Sequence, residues 1–418
     1  MKIRKIGIKA NLFLWYYWLM KNLDSLKYTC LFGGGAIRGA GHVGVLKAFK
    51  GLGIIPQSLG GSSVGSIVAS LLAVGYTTEE IEDVFLSVNF ELFRDISFGF
   101  NVKFALSKGE VFLDWFRELI EKKFYGDKYQ KGENAPVRFK DLNKDLFIIS
   151  TDMKDFSCCE FSSIETPEFE VAMAVRISCC APGLMRAVNL DDKLLVDGDL
   201  MKGKPMWYLS KNLRESKNRI CEIRLEGDFS GDDTNPLNYV NGIYSCMTFS
   251  ETSFIKEMYG NNDRYDYIVI NTGDTMVFDF NCPVEKRREI INSGYNSAMH
   301  YFRKTLPDKK QKIYSVYEEI LDYARNIQEQ MLRKKYLKAK AILGELFILL
   351  ADTKDIIDRD IYKQIKMFQN LLFSNVKSGL IGQRCDNIQT VKAQLLLIID
   401  ILGAKIKEFD EYFKEFTV

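Results

Sequence analysis

Gly61-Ser62-Ser63-Val64-Gly65 is the stretch on which the reading of this chain turns. Ile54 to Leu59 ahead of it reads as a short strand, and Ile67 to Val74 behind it as an apolar helix. A G-x-S-x-G pentapeptide between a strand and a helix is what a nucleophile elbow requires. The turn is sharp enough to lift the Ser63 hydroxyl clear of a sheet, and Gly61 and Gly65 relieve the crowding two positions to either side. An activated serine is expected, and the next question is what activates it.

The chain holds only two histidines, His42 and His300. His42 falls at the start of an Ala/Gly-rich helix and His300 in the helix-like run Ile290 to Phe302. Neither stands on a loop following a suitable acid, as a Ser-His-Asp triad would need. A carboxylate base is expected instead, and Asp197 is the candidate. It ends the short apolar strand Lys193-Leu194-Leu195-Val196 and precedes Gly198. Partial desolvation at a strand end raises carboxylate basicity and suits proton abstraction from a serine. Alone, Asp197-Gly198 also reads as an ordinary turn.

The third feature is Gly33-Gly34-Gly35-Ala36-Ile37-Arg38-Gly39, which follows the apolar strand Tyr28 to Phe32 and opens a helix through Val43, Leu46, Ala48 and Phe49. Backbone N–H groups at such a turn, beside a positive helix end, can hold an anion such as the oxyanion of acyl transfer. A P-loop is excluded because no Gly-Lys-Ser/Thr follows. Gly39-Ala40-Gly41-His42-Val43-Gly44 matches the dinucleotide fingerprint literally. It starts too far past the strand, however, and residues 57 to 65 offer no acidic ribose ligand, so these glycines read as helix packing.

Taken in order, these segments resemble the patatin-like phospholipases. The resemblance is carried by Leu31 to Leu46, by Gly61 to Gly65, and by Asp197-Gly198. Phe147 to Met153 resembles the family's central strand, Val175 to Pro182 its segment before the acid, and Phe278-Asp279-Phe280 with Gly294-Tyr295 its closing strand and helix. The resemblance implies an α/β fold: a three-layer sandwich on a mainly parallel sheet. It also implies a Ser–Asp dyad needing neither histidine, metal nor cofactor. Ser63 would be the nucleophile and Asp197 the base. The loop Gly34, Gly35, Ala36, Arg38 and Gly39 would form the oxyanion hole, with Arg38 supporting it. The chain departs from the family pattern at Ala36, at Asp197-Gly198-Asp199, where Gly or Ala is usual at the last position, and at Met201-Lys202-Gly203-Lys204-Pro205. A second carboxylate at Asp199 would act on Asp197 or on a basic partner.

With 418 residues the chain exceeds one ordinary domain. The expected division is a basic, aromatic segment 1–26, a catalytic domain 27–305 and a helical region 306–418. The net charge of +2 gives no global attraction to nucleic acid. The nine cysteines include no C-x-x-C, which points to a reducing, cytoplasmic compartment. No apolar run reaches the roughly 18–20 residues of a spanning helix. Leu12 to Met20, aromatic and flanked by Lys2, Arg4, Lys5 and Lys9, supports two readings: an interfacial membrane contact or a packed helix.

Residues 97–137 read as an insertion. It carries a helix from Glu110 to Phe124, with Val111, Phe112, Trp115, Phe116, Leu119 and Ile120 on one face, and then the polar run Tyr125 to Asn134. Both a lid and a plain surface element fit. Beyond Lys309, helices are expected over Ile313–Ala341, Ile342–Ala351, Ile356–Phe373 and Ile388–Phe413, with a turn across Asn375 to Arg384. The basic cluster Arg333, Lys334, Lys335, Lys338 and Lys340 reads as a solvated face or a headgroup contact. Two functions stand: a phospholipid acyl hydrolase, and a catalytically weak scaffold whose C-terminal helices bind a protein partner.

Overall fold

The computed structural model describes residues 27–93, 105–200, 219–228, 257–277, 281–354, 356–379 and 382–416, with isolated positions between 238 and 254 and at 279. Expectations for residues 1–26, for Met201 to Pro205, for Phe278 and Phe280, and for the first part of the insertion fall outside the described residues. The chain divides into two units at Phe302/Arg303, with Tyr259–Asp263 belonging to the second.

The first unit is built on an eight-stranded sheet. Its strands are β1 (Lys27–Phe32), β2 (Ile55–Ser62), β3 (Asp145–Asp152), β4 (Ser157–Ser162), β5 (Val188–Leu190), β6 (Lys193–Asp197), β7 (Arg219–Glu226) and β8 (Tyr265–Asn271). The order is β8-β7-β1-β2-β3-β6-β5, with β4 also pairing to β3. The five strands from β8 to β3 run parallel, and β4, β5 and β6 pair antiparallel. β1 and β3 carry apolar runs suited to strands covered on both faces, whereas β7 and β8 bury the charged residues Glu222, Arg224 and Asp266 among theirs. Helices α1 (Ala40–Leu52), α2 (Val64–Val74), α3 (Thr78–Ser87), α4 (Glu110–Tyr125), α5 (Val171–Ser178) and α6 (Val284–His300) supply the cover.

The sheet register brings two distant segments together. Along β3, Ile149 pairs with Ser62 of β2, and the next residue, Ser150, pairs with Asp197 of β6. β4 takes the other edge of β3 over Phe147–Asp152. The C-terminal ends of β2 and β6 therefore meet on one edge, and Ser63 and Asp197 arrive side by side from 134 positions apart.

The literal dinucleotide fingerprint is a packing device. A Cβ at Gly44 would collide with the carbonyl of Ile291, and one at Gly294 with the carbonyl of Gly41, so α1 and α6 touch backbone to backbone. Gly44→Leu should cost roughly 3 kcal/mol or more, because backbone rather than a movable side chain lies in the way. A urea titration with a midpoint unchanged from the parent would contradict this.

In α4 the buried stripe is Phe112, Phe116 and Ile120, with Phe93 and Trp115 in ring contact, while Val111 is exposed. The described sheet ends on Tyr265–Asn271, and Asp279 lies in no strand. The apolar pattern of Tyr265–Asn271 is masked by Asp266, fully buried because Arg219 and the Tyr301 hydroxyl bind its carboxylate.

The second unit contains α7 (Leu306–Leu332), α8 (Tyr336–Asp352), α9 (Arg359–Asn375), a hairpin of β9 (Val376–Gly379) and β10 (Gly382–Cys385), and α10 (Ile388–Phe416). The continuous helix expected over Ile313–Ala341 is broken at 333–335. Lys334 takes a left-handed conformation, and the amides of Arg333, Lys334 and Lys335 turn back to Glu329, Met331 and Gln330. Such closures normally use Gly or Asn, so the sequence carries no mark of this one. The turn expected between Asn375 and Arg384 is the β9–β10 hairpin. Lys340 of the basic cluster donates to the carbonyls of Phe373 and Val376, capping the end of α9.

Candidate active site

Ser63 stands at φ 49°, ψ −130° between β2 and α2, a conformation L-residues rarely adopt. The two elbow glycines are required by space. A Cβ at Gly61 would strike the Gly65 carbonyl, and one at Gly65 the Phe32 carbonyl. Three bonds hold the strained turn. The Ser63 amide donates to Ser178 Oγ at 2.9 Å, and the Ser66 amide and hydroxyl both donate to the Ser63 carbonyl. Ser178 in turn donates to the Ile149 carbonyl at 2.6 Å.

The Ser63 hydroxyl donates to Asp197 Oδ2 at 2.8 Å. Asp197 is 2 % exposed, and its Oδ1 accepts the Asp199 amide at 2.8 Å. Gly198 is required because a Cβ there would strike the Ile149 carbonyl. Burial, followed by the neighbouring Asp197 carboxylate, pushes the Cys179 thiol well up, so this adjacent sulfur stays protonated. All nine cysteines are free thiols.

The glycine loop lies over the serine. Gly34 packs so closely that a Cβ would collide with Asp199 Oδ2 and approach Ser63 Cβ to 2.8 Å. Gly35 (φ 152°) and Ala36 (φ 48°) turn the chain through positive φ. The amides of Gly34, Gly35 and Ala36 make no hydrogen bond to the described residues, whereas the Arg38 amide is spent on the Gly35 carbonyl. Arg38 is buried, and desolvation brings its guanidinium down to about 10, with Asp199 and Glu226 opposing the fall. It remains a cation beside the loop. Gly39 abuts the start of α2, where a Cβ would meet Val64.

His42 is fully buried beneath the same loop. Its Nε2 lies 2.8 Å from the Gly33 carbonyl, and its ring meets Phe32 edge-on. Burial lowers its pKa from 6.5 to about 4, so it is neutral and donates Nε2–H to that carbonyl. His300 is an exposed residue of α6. The folded pKa of His42 is depressed, so its neutral form favours folding above about pH 6.5, and that contribution is lost as pH falls toward 4. The loss should reach on the order of 3 kcal/mol. His42→Gln should flatten that acid-side decline in urea midpoints taken near pH 7 and near pH 5. Parallel declines in both proteins would contradict it.

Sequence reasoning gave Ser62, Ser178 and Arg224 no role. Arg224 packs on Gly33 and pairs with Glu222 on the same strand. Ser62 and Ser178 were marked only by lying within the stretches Gly61 to Gly65 and Val175 to Pro182. Arg224 carried no signal, since a buried arginine in a strand is visible only once its partners are placed.

The description of the patatin-like phospholipases matches residues 31–209. The chain is 23% identical over 284 residues to YqhO of Bacillus subtilis, an uncharacterized protein, covering 63% of this chain and 94% of that one. It is 28% identical over 240 residues to lysophospholipase NTE1 of Cryptococcus neoformans, covering 55% of this chain and 13% of that one. Among solved structures, VipD from Legionella pneumophila matches with a TM-score of 0.50 at 15% identity, over 91% of this chain and 88% of that one, a likeness of fold. The likeness to the patatin-like phospholipases is therefore carried by residues 31–209 of the chain.

Proposed function

We propose that the chain is a lipid acyl hydrolase that cleaves fatty acyl esters of phospholipids through Ser63 and Asp197. The observation that carries this reading is the 2.8 Å hydrogen bond from the Ser63 hydroxyl to a buried carboxylate, beneath a loop whose Gly34, Gly35 and Ala36 amides make no hydrogen bond among the described residues. Ser63 Oγ attacks the ester carbonyl carbon while its proton passes to Asp197 Oδ2. The amides of Gly34, Gly35 and Ala36 receive the oxyanion, and Arg38 braces the loop and adds positive charge nearby. Collapse expels the lysolipid or glycerol alkoxide, which takes the proton back from Asp197. Water then attacks the acyl-enzyme while Asp197 takes its proton; the acyl–Oγ bond breaks, the fatty acid leaves, and Asp197 returns the proton to Ser63 Oγ. No step calls for a metal or cofactor.

In this reading residues 27–305 carry the chemistry, at a membrane surface reached from the cytoplasm. No helix among the described residues is long and apolar enough to cross a membrane, which is compatible with a peripheral contact. Residues 306–418 are then available for a lipid or protein partner. The test is fatty acid release from phospholipid, lysophospholipid and triacylglycerol dispersions, followed by mass spectrometry. Release from either phospholipid class is expected. Turnover of a short-chain ester with none from any phospholipid would overturn the substrate assignment.

A further inference from the structure

We propose that Asp199 is a positioning residue, a second buried carboxylate that locks the nucleophile elbow to the glycine loop and to β7 without touching substrate. This rests on the acyl-hydrolase reading of Ser63 and Asp197.

Asp199 is 9 % exposed and contacts Ser62, Gly34, Asp197 and Arg224. Its Oδ1 accepts the hydroxyl proton of Ser62, the residue immediately before the nucleophile. Its Oδ2 lies against Gly34, leaving no room for a side chain there. Its amide donates to Asp197 Oδ1 at 2.8 Å, on the carboxylate whose other oxygen takes the Ser63 hydroxyl. Arg224 Nη1 stands 3.6 Å from Asp199 Oδ1. Arg224 is itself fixed by Glu222 (Nε to Oε1 2.8 Å), and Glu222 by the Tyr265 hydroxyl at 2.8 Å. A continuous polar chain thus runs from β8 through β7 to the elbow.

Two consequences follow from the physics. Attack needs Ser63 Oγ, Asp197 and the loop amides held to within a fraction of an ångström, and the Asp199 side chain meets both elbow and loop. A negative charge beside the loop amides would oppose an oxyanion unless it were balanced. The buried guanidinium of Arg38, together with Arg224, which Asp199 shares with Glu222, sets positive charge against it.

The experiment measures kcat and KM on a soluble short-chain ester for Asp199→Ala, Asp199→Asn, Ser62→Ala and the double variant Ser62→Ala/Asp199→Ala, with Ser63→Ala as the control. Asp199→Ala should lower kcat about 100-fold and leave KM within about twofold, as loss of positioning does. Asp199→Asn keeps an oxygen that accepts the Ser62 proton, so it should recover roughly tenfold of that loss. The double variant should be no more than about twofold slower than Asp199→Ala, because both changes break one contact. A folded Asp199→Ala with kcat within about threefold of the parent, a loss carried by KM, or losses that multiply in the double variant would each overturn the proposal. If Asp199→Ala does not fold, Asp199→Asn and Ser62→Ala decide: each should lose about tenfold in kcat, and unchanged kcat in both overturns the proposal. An active Ser63→Ala would instead sink the acyl-hydrolase reading itself, which keeps the two failures distinct.

Discussion

Ser63→Ala should reduce hydrolysis of both soluble esters and phospholipids to background, a loss of roughly 10⁴-fold or more, while the protein stays folded. The nucleophile is the group through which the dyad and the loop amides act, so removing it removes most of what they contribute together. The stability cost should stay within about 1 kcal/mol. The deleted atom is a single hydroxyl oxygen, the Asp199 amide still serves Asp197, and alanine inherits the positive φ unchanged. Ser63→Gly should be equally inactive and at least as stable, because glycine relieves the φ 49° strain. Turnover near the parent's in a folded Ser63→Ala would end the proposal.

Asp197→Asn should fall nearly as far, by roughly 10³-fold to 10⁴-fold in kcat, with KM little changed. The amide fills the same buried space and still accepts the Asp199 amide through its oxygen. What it lacks is the capacity to take the serine proton. Its NH₂ would donate to Ser63 Oγ, engaging the lone pair that must attack. Thermal melting close to that of the parent is expected alongside the kinetic loss. An unfolded variant would show that the carboxylate is needed to build the site, and a folded variant of near-parent kcat would show that another group is the base.

The sequence carried the parts of this site that depend on backbone geometry. A strand, a pentapeptide with glycines at its ends and a helix determine where Ser63 sits, because only glycine tolerates the approach of Gly65 to the Phe32 carbonyl. Gly41 and Gly44 were legible as packing because the fingerprint they complete starts too far past its strand and lacks an acidic ribose ligand. What stayed hidden was register. Nothing local to Lys193–Asp197 says that it abuts the end of β2 along β3, yet that register puts Asp197 beside Ser63. Buried polar partners were hidden too. Asp266 breaks the apolar pattern of β8, and Arg224 and Glu222 break that of β7, until their mutual pairing is seen. Asp199 was visible as a departure from the family pattern, but its partners Ser62 and Arg224 were not. In the second unit, helix periodicity survived the break at Lys334 because a lysine in the left-handed region leaves no compositional mark.

The most direct test of the central claim is covalent labelling with a fluorophosphonate, read by intact mass and by peptide mapping. The account predicts one adduct per chain, on Ser63, absent from Ser63→Ala and formed at least about 100-fold more slowly in Asp197→Asn. An adduct on any other residue, or labelling of Ser63 at an undiminished rate in folded Asp197→Asn, would contradict it.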